Sequence, residues 1–457
     1  MQKIQKMRIE YERNKRKMKE KGILLPIFSL PSKYGIGDFG YEAYQFIDIL
    51  SENNIKYWEV LPINECDRHP YSPISYYAIE EDYISLDKLK EQGLIQNADT
   101  RENKDRAVYD NFKQKYYEEA FKNFKPDSEY EEFIKLKEIK EYAEFSSERS
   151  HYKKEYYLFL QYILYKQWME LKQYANSKGI EIIGDMPVYP VFESVETQYN
   201  PECFEMENEK FTFESGTPPD YFNENGQRWN SPVYNVENLK KDNYQYLIKR
   251  FKYHLKLFDK VRVDYFRGYD SFFKIPIGKT GKEGFYTDGV SYGFFDELFK
   301  DKDVKVESLI IEDLGEIREE TIKLRQHYGF TRQKILQFSI DLDNCYDKDN
   351  EDENVLIFPG NHDCNTIYGW YKTLDDEHKW KLKEFLRKNQ CYDINVNIGI
   401  MQYLLKCKAK MPIIMVQDIL GLDENSRINI PGTESEKNWS WKLIDFEDFR
   451  ERIKDYK

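Results

Sequence analysis

The sequence lacks the cysteine spacings that hold metals or cross-link secreted domains. Its six cysteines, at positions 66, 203, 345, 364, 391 and 407, include no C-x-x-C pair and no evident paired framework. No cluster of histidine, cysteine and acidic residues has metal-ligand spacing either. We therefore expect reduced thiols, as in proteins of a reducing compartment, and no bound metal.

Long apolar runs are also missing. No stretch approaches the roughly 20 apolar residues that a membrane-spanning helix needs. The basic, helix-prone segment from Met1 to Gly22 has no apolar core like that of a secretory signal. These absences predict a soluble, cytoplasmic protein in which residues 1–21 form a charged helix or arm.

Basic residues are outnumbered. The chain has 69 Lys and Arg against 82 Asp and Glu, which gives a formal net charge of -13 and a pI near 5.3. This balance argues against nucleic acid or an anionic membrane as the main partner.

The glycines in Tyr34-Gly-Ile-Gly-Asp-Phe-Gly40 match the bare spacing of a nucleotide-binding loop. That motif requires a preceding strand and an acid after the next one. Here prolines interrupt the segment and the acid is missing, so phosphate binding is disfavoured.

Aromatic residues are abundant, at 16% of the 457 residues. Sugar rings stack on aromatic faces, so this composition suits a carbohydrate-binding protein. A codon bias that favours Tyr and Lys would produce the same abundance, and composition alone does not separate the two explanations.

Three strand-like apolar runs each end in acidic residues. The acids follow Val261-Arg-Val, Leu309-Ile-Ile and Val355-Leu-Ile-Phe, and they are Asp264, Glu312 with Asp313, and Asp363. In a (β/α)8 barrel the chemistry lies at the C-terminal ends of the strands. Cleavage of a glycosidic bond requires two carboxyl groups facing each other across a sugar.

Arg262 precedes Asp264 by two residues, so both side chains lie on one face of a strand. The guanidinium is expected to keep Asp264 ionised, with a lowered pKa, as suits a nucleophile. A buried structural ion pair explains the same spacing equally well, and the stretch alone leaves both interpretations open.

Alternating strand and helix patterns predict an α/β protein, a (β/α)8 barrel of about 250 residues with insertions and no separate C-terminal β-domain. We predict helices over 38–53 and 153–177. The barrel strands are expected at 56–62, 180–184, 260–264, 308–312, 334–338, 354–358 and 412–416, and the missing strand near 74–86.

Two insertions are expected to interrupt the barrel, which would span residues 22–457. Residues 87–150 are highly charged with a helical pattern, and Ser128-x-x-Glu131 is a candidate capping box. Residues 190–235 resemble a long functional loop without regular structure. There Trp229 either stacks on a sugar or only packs the loop down.

The lone His69, in the loop that follows residues 56–62, is interpreted as a solvated loop residue.

The chain closely resembles the amylomaltase (4-α-glucanotransferase) family of the α-amylase-like superfamily, from Gly22 to Trp441. The resemblance rests on residues 24–40, 183–189 and 216–220, on Gln227 with Trp229, on 262–268 and 312–315, on His362-Asp363, and on 417–422, 431–433 and Asn438-Trp439.

The resemblance implies a role for each site residue. Asp264 would be the nucleophile, Glu312 the general acid/base, and Asp363 the residue that binds sugar hydroxyls and stabilises the transition state. The substrate-binding residues would be Arg262, His362, Tyr71, Asp185, Trp229 and Gln227.

The implied activity is transfer of α-1,4-linked glucosyl units between glucans by a retaining double displacement, without metal or organic cofactor. Donor and acceptor would be maltooligosaccharides and α-1,4-glucans. A glucan hydrolase with the same acids, or a catalytically silent glucan-binding protein, are the alternatives.

The sequence departs from the family pattern at several positions near these motifs. Tyr265 replaces the usual His, Asn361 the usual Thr, and Asn365 an acid, while Ser72-Pro73 replaces Gln-Ser. Segment 280–289 keeps the family outline without its usual Trp. We expect these changes to affect acceptor preference and chain-length specificity.

Overall fold

Eight parallel strands close into a barrel in the computed structural model, which describes residues 19–219, 224–312, 314–315, 317–348, 350 and 352–456. The strands, numbered β1 to β8 in chain order, are Gly22–Leu24, Tyr57–Glu59, Glu181–Met186, Lys260–Val263, Leu309–Ile311, Thr331–Ile335, Val355–Phe358 and Met411–Met415. The predicted (β/α)8 barrel is confirmed. Residues 1–18 of the predicted N-terminal arm lie outside the described residues.

The barrel closes through β1, which pairs with β2 on one side and β8 on the other. The prediction of a strand near 74–86 is wrong, because that stretch holds turns and the short 3-10 helix Glu81–Tyr83. The missing strand is Gly22–Leu24. It has three residues and Pro26 follows two positions later, so it is too short to show an alternating pattern. The strand predicted at 334–338 lies at 331–335, and a helical turn follows it.

Helices cover the outside of the barrel, as expected where parallel strands alternate with crossovers. The α-helices are Tyr41–Glu52, Leu86–Glu91, Gln114–Asn123, Ser128–Phe133, Lys137–Glu148, Lys154–Ser177, Val195–Tyr199, Val236–Lys241, Gln245–Leu257, Arg267–Asp270, Ser291–Leu298, Glu319–Tyr328, Leu336–Ser339, Ile367–Thr373, Asp376–Lys388, Val396–Lys406, Val416–Ile419 and Glu447–Arg452. The 3-10 helices are Ile27–Ser29, Glu81–Tyr83, Asn111–Lys113, Pro201–Cys203, Gly281–Glu283, Val306–Ser308, Glu424–Ser426 and Ile453–Asp455.

The predicted helices at 38–53 and 153–177 correspond to Tyr41–Glu52 and Lys154–Ser177. The longer one ends where Gly179 takes a φ of 79°, a conformation that favours glycine. The expected capping box at Ser128 is wrong, since Asp127 caps that helix by accepting a hydrogen bond from the Tyr130 amide.

Residues 190–235 are more regular than the sequence suggested. Phe213–Thr217 and Gln227–Pro232 form an antiparallel sheet with Ser271–Pro276 and Phe285–Asp288, which we call the side sheet. The side sheet joins the 190–235 insertion to the segment that follows β4. Two further antiparallel pairs are Met206–Glu207 with Lys210–Phe211, and Ile340–Asp341 with Tyr346–Asp347.

A single apolar core fills the barrel wall and the layer beneath the helices. No helix among the described residues is long and apolar enough to cross a membrane. All six cysteines are unpaired. The division into a barrel over 22–457 with insertions at 87–150 and 190–235 stays a prediction.

Candidate active site

Asp264 and Glu312 directly follow the ends of two neighbouring strands. Val263 at the end of β4 is in register with Ile311 at the end of β5, and each acid is the next residue. The Glu312 amide donates to the Val263 carbonyl at 3.0 Å, and the Asp264 amide donates to the Met186 carbonyl of β3 at 3.2 Å. Neighbouring strands lie about 4.8 Å apart, so the fold brings the two carboxyl groups to one end of the barrel.

Backbone amides hold both oxygens of Glu312. The amide of Tyr265 donates to Oε2 at 3.0 Å, and the amide of Leu314 donates to Oε1 at 3.1 Å. Tyr265 has a φ of 48°, in the left-handed region that few non-glycine residues adopt. Strained backbone of this kind is concentrated at functional sites.

Arg262 binds Asp185 more closely than it binds Asp264. Its Nη1 donates to both Asp185 oxygens at 2.8 Å and lies 3.1 Å from Oδ1 of Asp264, while Nε donates to Gln333 at 2.8 Å. Arg262 is 5% exposed and Asp185 is completely buried. The guanidinium is therefore shared between two carboxylates on the inner side of the barrel.

The expectation that Asp264 has a lowered pKa is wrong. Burial raises the pKa of Asp264 to about 6, although Arg262 and His362 act in the opposite direction. The physical reason is that the free-energy cost of removing the carboxylate from water exceeds the stabilisation that a shared cation provides.

Tyr71 connects the Asp185–Arg262 ion pair to His362 and Asp363, which follow β7. Its hydroxyl donates to Oδ2 of Asp185 at 2.5 Å, and its ring stacks on His362 with centroids 5.0 Å apart. His362 is buried, and its Nε2 lies 3.4 Å from Oδ2 of Asp363. Burial opposes ionisation of Asp363, yet His362 and the amide of Asn429 hold the pKa of this carboxyl below its usual range.

Trp229 and Gln227 approach the same cluster from the side sheet. The Trp229 and Tyr265 rings pack edge to face, with centroids 4.9 Å apart and planes at 87°. Gln227 accepts from the Trp229 indole N–H at 3.4 Å. Gly268 makes room for this arrangement, since a Cβ there would lie 2.7 Å from the Tyr265 ring. The structure thus brings all nine predicted site residues into one linked cluster.

Sequence reasoning missed two residues that hold Asp363. Asn429 Nδ2 donates to Oδ1 of Asp363 at 2.7 Å, and Arg427 donates to its backbone carbonyl at 2.8 Å. Both lie just before Pro431-Gly-Thr433, so proximity to that motif was the only available signal. His69 is exposed, as expected, and packs near Trp439 with ring centroids 5.0 Å apart.

The chain is similar to known proteins along almost its whole length. A family model described as 4-alpha-glucanotransferase matches residues 25–156 and 147–446. A 4-alpha-glucanotransferase of Aquifex aeolicus is 34% identical over 473 residues, covering 93% of this chain and 96% of that relative. One from Clostridium butyricum is 35% identical, covering 92% and 95%.

Solved structures agree with this similarity. The amylomaltase of Streptococcus agalactiae, solved in complex with acarbose, has a TM-score of 0.89 and 28% sequence identity. The match covers 96% of this chain and 98% of that one.

Proposed function

The chain belongs to the 4-alpha-glucanotransferase family, and we propose that Asp264, Glu312 and Asp363 carry out its transfer reaction. The observation that carries the proposal is the register of β4 and β5, which sets Asp264 beside Glu312. Asp363, with its lowered pKa, supplies a permanent negative charge near them. The activity is that of an enzyme that moves α-1,4-linked glucan units from a donor to an acceptor.

In the first half-reaction Glu312 gives its proton to the glycosidic oxygen while Asp264 attacks the anomeric carbon. The bond to the leaving chain breaks, and a covalent glycosyl ester forms on Asp264. Retaining enzymes of this type hold their two carboxyl groups about 5–5.5 Å apart. Arg262 stabilises the anionic form of Asp264 before the attack.

In the second half-reaction an acceptor sugar, and not a water molecule, attacks the glycosyl ester on Asp264. Glu312, now ionised, takes the proton of the acceptor 4-hydroxyl, whose oxygen displaces Asp264 from the anomeric carbon. Both side chains then return to their starting protonation states. Asp363 binds sugar hydroxyls and stabilises the positive charge that develops on the ring in each transition state.

Transfer exceeds hydrolysis when water is excluded and the acceptor is held in place. We assign this task to the side sheet, because its Trp229 packs on Tyr265, whose amide binds Glu312. Gln227, His362, Tyr71, Asp185 and Arg262 are assigned to substrate binding around the cleaved bond.

We propose maltooligosaccharides and longer α-1,4-glucans as donors and acceptors. The support is the acarbose complex of the S. agalactiae amylomaltase, since acarbose is the ligand bound by a relative that matches this chain over 96% of its length. We also propose a cytoplasmic location, which the unpaired state of the six cysteines supports.

Incubation of maltotriose with the wild type and with Asp264→Asn tests the proposal. We expect the wild type to produce glucose and a ladder of longer maltooligosaccharides, and the variant to produce neither. Asp303→Asn, an exposed residue away from the site, is the matched control and is expected to behave like the wild type.

Other product patterns would overturn the proposal. Shorter sugars without a ladder would identify a hydrolase. Full activity of Asp264→Asn would remove Asp264 from the role of nucleophile.

A further inference from the structure

Glu59 is a buried acid inside the barrel that the proposed reaction steps do not use. It is the last residue of β2 and is 1% exposed. Its Oε2 has no hydrogen-bond partner within the described part of the chain. A carboxyl group in such surroundings is far more stable neutral than ionised.

The strand register puts Glu59 on the inner face of the barrel, the face that also carries Asp185 and Arg262. Glu59 pairs with Ile183 of β3, and Asp185, two residues further along β3, pairs with Arg262 of β4. Paired residues of parallel strands share a face, and residues two apart on one strand share it as well. Glu59 therefore shares the inner face of the barrel with Asp185 and Arg262, on the strand next to β3.

A contact across the barrel confirms that this face points inward. Arg262 Nε donates to Oε1 of Gln333 on β6, which is separated from β4 by β5. Layers inside such barrels take side chains from alternate strands. The strands β2, β4 and β6 thus contribute Glu59, Arg262 and Gln333 to the region beneath the active site.

Two carboxylates of this region already share the charge of one guanidinium. Arg262 already serves Asp185 and Asp264, so an ionised Glu59 would be a third anion competing for one cation. Burial raises the pKa of Glu59 to about 8, Asp185 adds to this effect, and Arg262 opposes it.

Other titratable groups share this face, but most lie nearer the opposite end of the barrel. Tyr57 donates to Glu20, and Lys260 donates to the carbonyl of Glu307. On β1 the registered residues, Gly22 and Leu24, do not titrate. The titratable residues of this face on β2, β3 and β4 are Tyr57, Glu181, Asp185, Lys260 and Arg262.

We propose that Glu59 is a positioning residue of the transfer reaction, a neutral carboxyl group that leaves the Arg262 charge to Asp185 and Asp264. Ionised Glu59 draws the guanidinium toward itself, and Asp264 loses the cation that holds it for attack. The enzyme therefore loses activity at alkaline pH because a buried group, Glu59, ionises. This inference rests on the proposed roles of Arg262 and Asp264.

The test is the pH dependence of kcat/KM on maltotriose for the wild type and Glu59→Gln. We expect the wild type to lose activity above pH 8, about tenfold by pH 9 for a single ionisation near pH 8. Glu59→Gln keeps the shape of a neutral carboxyl group and should hold its activity for at least one further pH unit. Glu181→Gln, on β3 near the opposite end, is the matched control and should follow the wild type.

An alkaline limb of the same position in the wild type and Glu59→Gln would overturn the proposal, since the limb would then belong to another group such as Glu312. The Asp264→Asn experiment is independent of this comparison, so failure of the proposed nucleophile is recognised separately.

A stability measurement keeps the test valid even if Glu59→Gln is inactive. The folded-state pKa of Glu59 lies above its unfolded value, so its protonation favours folding most at low pH, and this stability is lost as pH rises toward 8. Relative to Glu59→Gln, the wild type should therefore lose stability between pH 5 and 8 and change little above. Parallel stability curves would also overturn the proposal.

Discussion

At the scale of single residues, the two aspartates of the site have opposite environments. Asp264 is in contact with a cation that it shares with Asp185, and burial raises its pKa to about 6. Asp363 accepts a hydrogen bond from Asn429 and lies beside His362, and its pKa is lowered. Divergent pKa values in one site separate roles between acids. Of these two aspartates, Asp264 is the one whose charge changes near pH 6, and Asp363 stays ionised.

This difference predicts the acid limb of the pH profile. In the proposed mechanism protonated Asp264 cannot attack the anomeric carbon, so kcat/KM should fall about tenfold for each pH unit below 6. The measurement is kcat/KM for disproportionation of maltotriose between pH 4 and 8. Full activity retained at pH 4.5 would show that Asp264 ionises at its ordinary pKa despite burial.

Asn429 is predicted to matter through Asp363. Asn429→Ala removes a hydrogen bond to a charged carboxylate, which is worth about 1.5–3 kcal/mol. We expect kcat/KM to fall about tenfold to a hundredfold with the fold unchanged, measured by initial rates and circular dichroism. Asn123→Ala is the control, because Asn123 is an exposed asparagine whose side chain donates to the Leu94 carbonyl. Equal rates in the two variants would exclude Asn429 from positioning Asp363.

At the scale of elements, the side sheet is the feature that connects an insertion to the chemistry. Its strand Phe213–Thr217 pairs with Ser271–Pro276, which follows β4, so the 190–235 insertion is attached to the chain just beyond Asp264. Trp229 projects from the strand Gln227–Pro232 onto Tyr265. A hydrogen-bonded sheet holds an aromatic side chain in place better than an irregular loop does.

Removal of the Trp229 indole should shift the enzyme from transfer toward hydrolysis. Trp229→Ala opens the contact with Tyr265 and admits water beside Glu312. We expect the ratio of hydrolysed to transferred glucosyl units to rise severalfold, measured from reducing ends and glucose release on maltotriose. Trp380→Ala, which removes an exposed tryptophan of the helix Asp376–Lys388, should leave the ratio unchanged. An unchanged ratio in Trp229→Ala would mean that the indole only packs the sheet.

The elements that the sequence missed are those whose pairing is not local. β1 has three residues and is defined by its hydrogen bonds to β2 and β8, which are distant in the chain. The side sheet likewise joins segments about 60 residues apart, Phe213–Thr217 and Ser271–Pro276. Local alternation predicts the longer buried strands, but it carries no information about such partners.

At the scale of the whole molecule, the last residues of the chain secure the closure of the barrel. Tyr456 is completely buried, and its hydroxyl donates to the Pro412 carbonyl of β8 at 2.9 Å. Lys21, next to β1, donates to the Tyr456 carbonyl at 2.9 Å. The C-terminal end therefore contacts β8 and the residue that precedes β1, the two strands that meet where the barrel closes.

Two substitutions at Tyr456 separate its hydrogen bond from its packing. Tyr456→Phe should lower the free energy of unfolding by about 1 kcal/mol, because one buried hydrogen bond is lost. Tyr456→Ala should lower it by about 3–5 kcal/mol, as other large buried aromatic truncations do. Urea denaturation measures both. Equal losses in the two variants would show that the ring contributes nothing beyond the hydroxyl.

The acids at the strand ends were predictable because each follows an apolar run in sequence. The chemical state of Asp264 was not, since it depends first on burial inside the closed barrel and then on Asp185, which shares the Arg262 charge from a strand about 80 residues earlier. Asn429 and Glu59 were missed for a related reason. Their importance comes from what the closed barrel places beside them, and neither belongs to a local chemical pattern.

The most direct measurement is the trapping of the covalent intermediate. A glycosyl fluoride needs no general acid to leave, so Glu312→Gln treated with α-maltosyl fluoride should form the ester but hardly resolve it. Mass spectrometry of the intact protein and its peptides should then show one added maltosyl group on the peptide that contains Asp264. An adduct on another residue, or turnover without any adduct, would contradict the double displacement through Asp264.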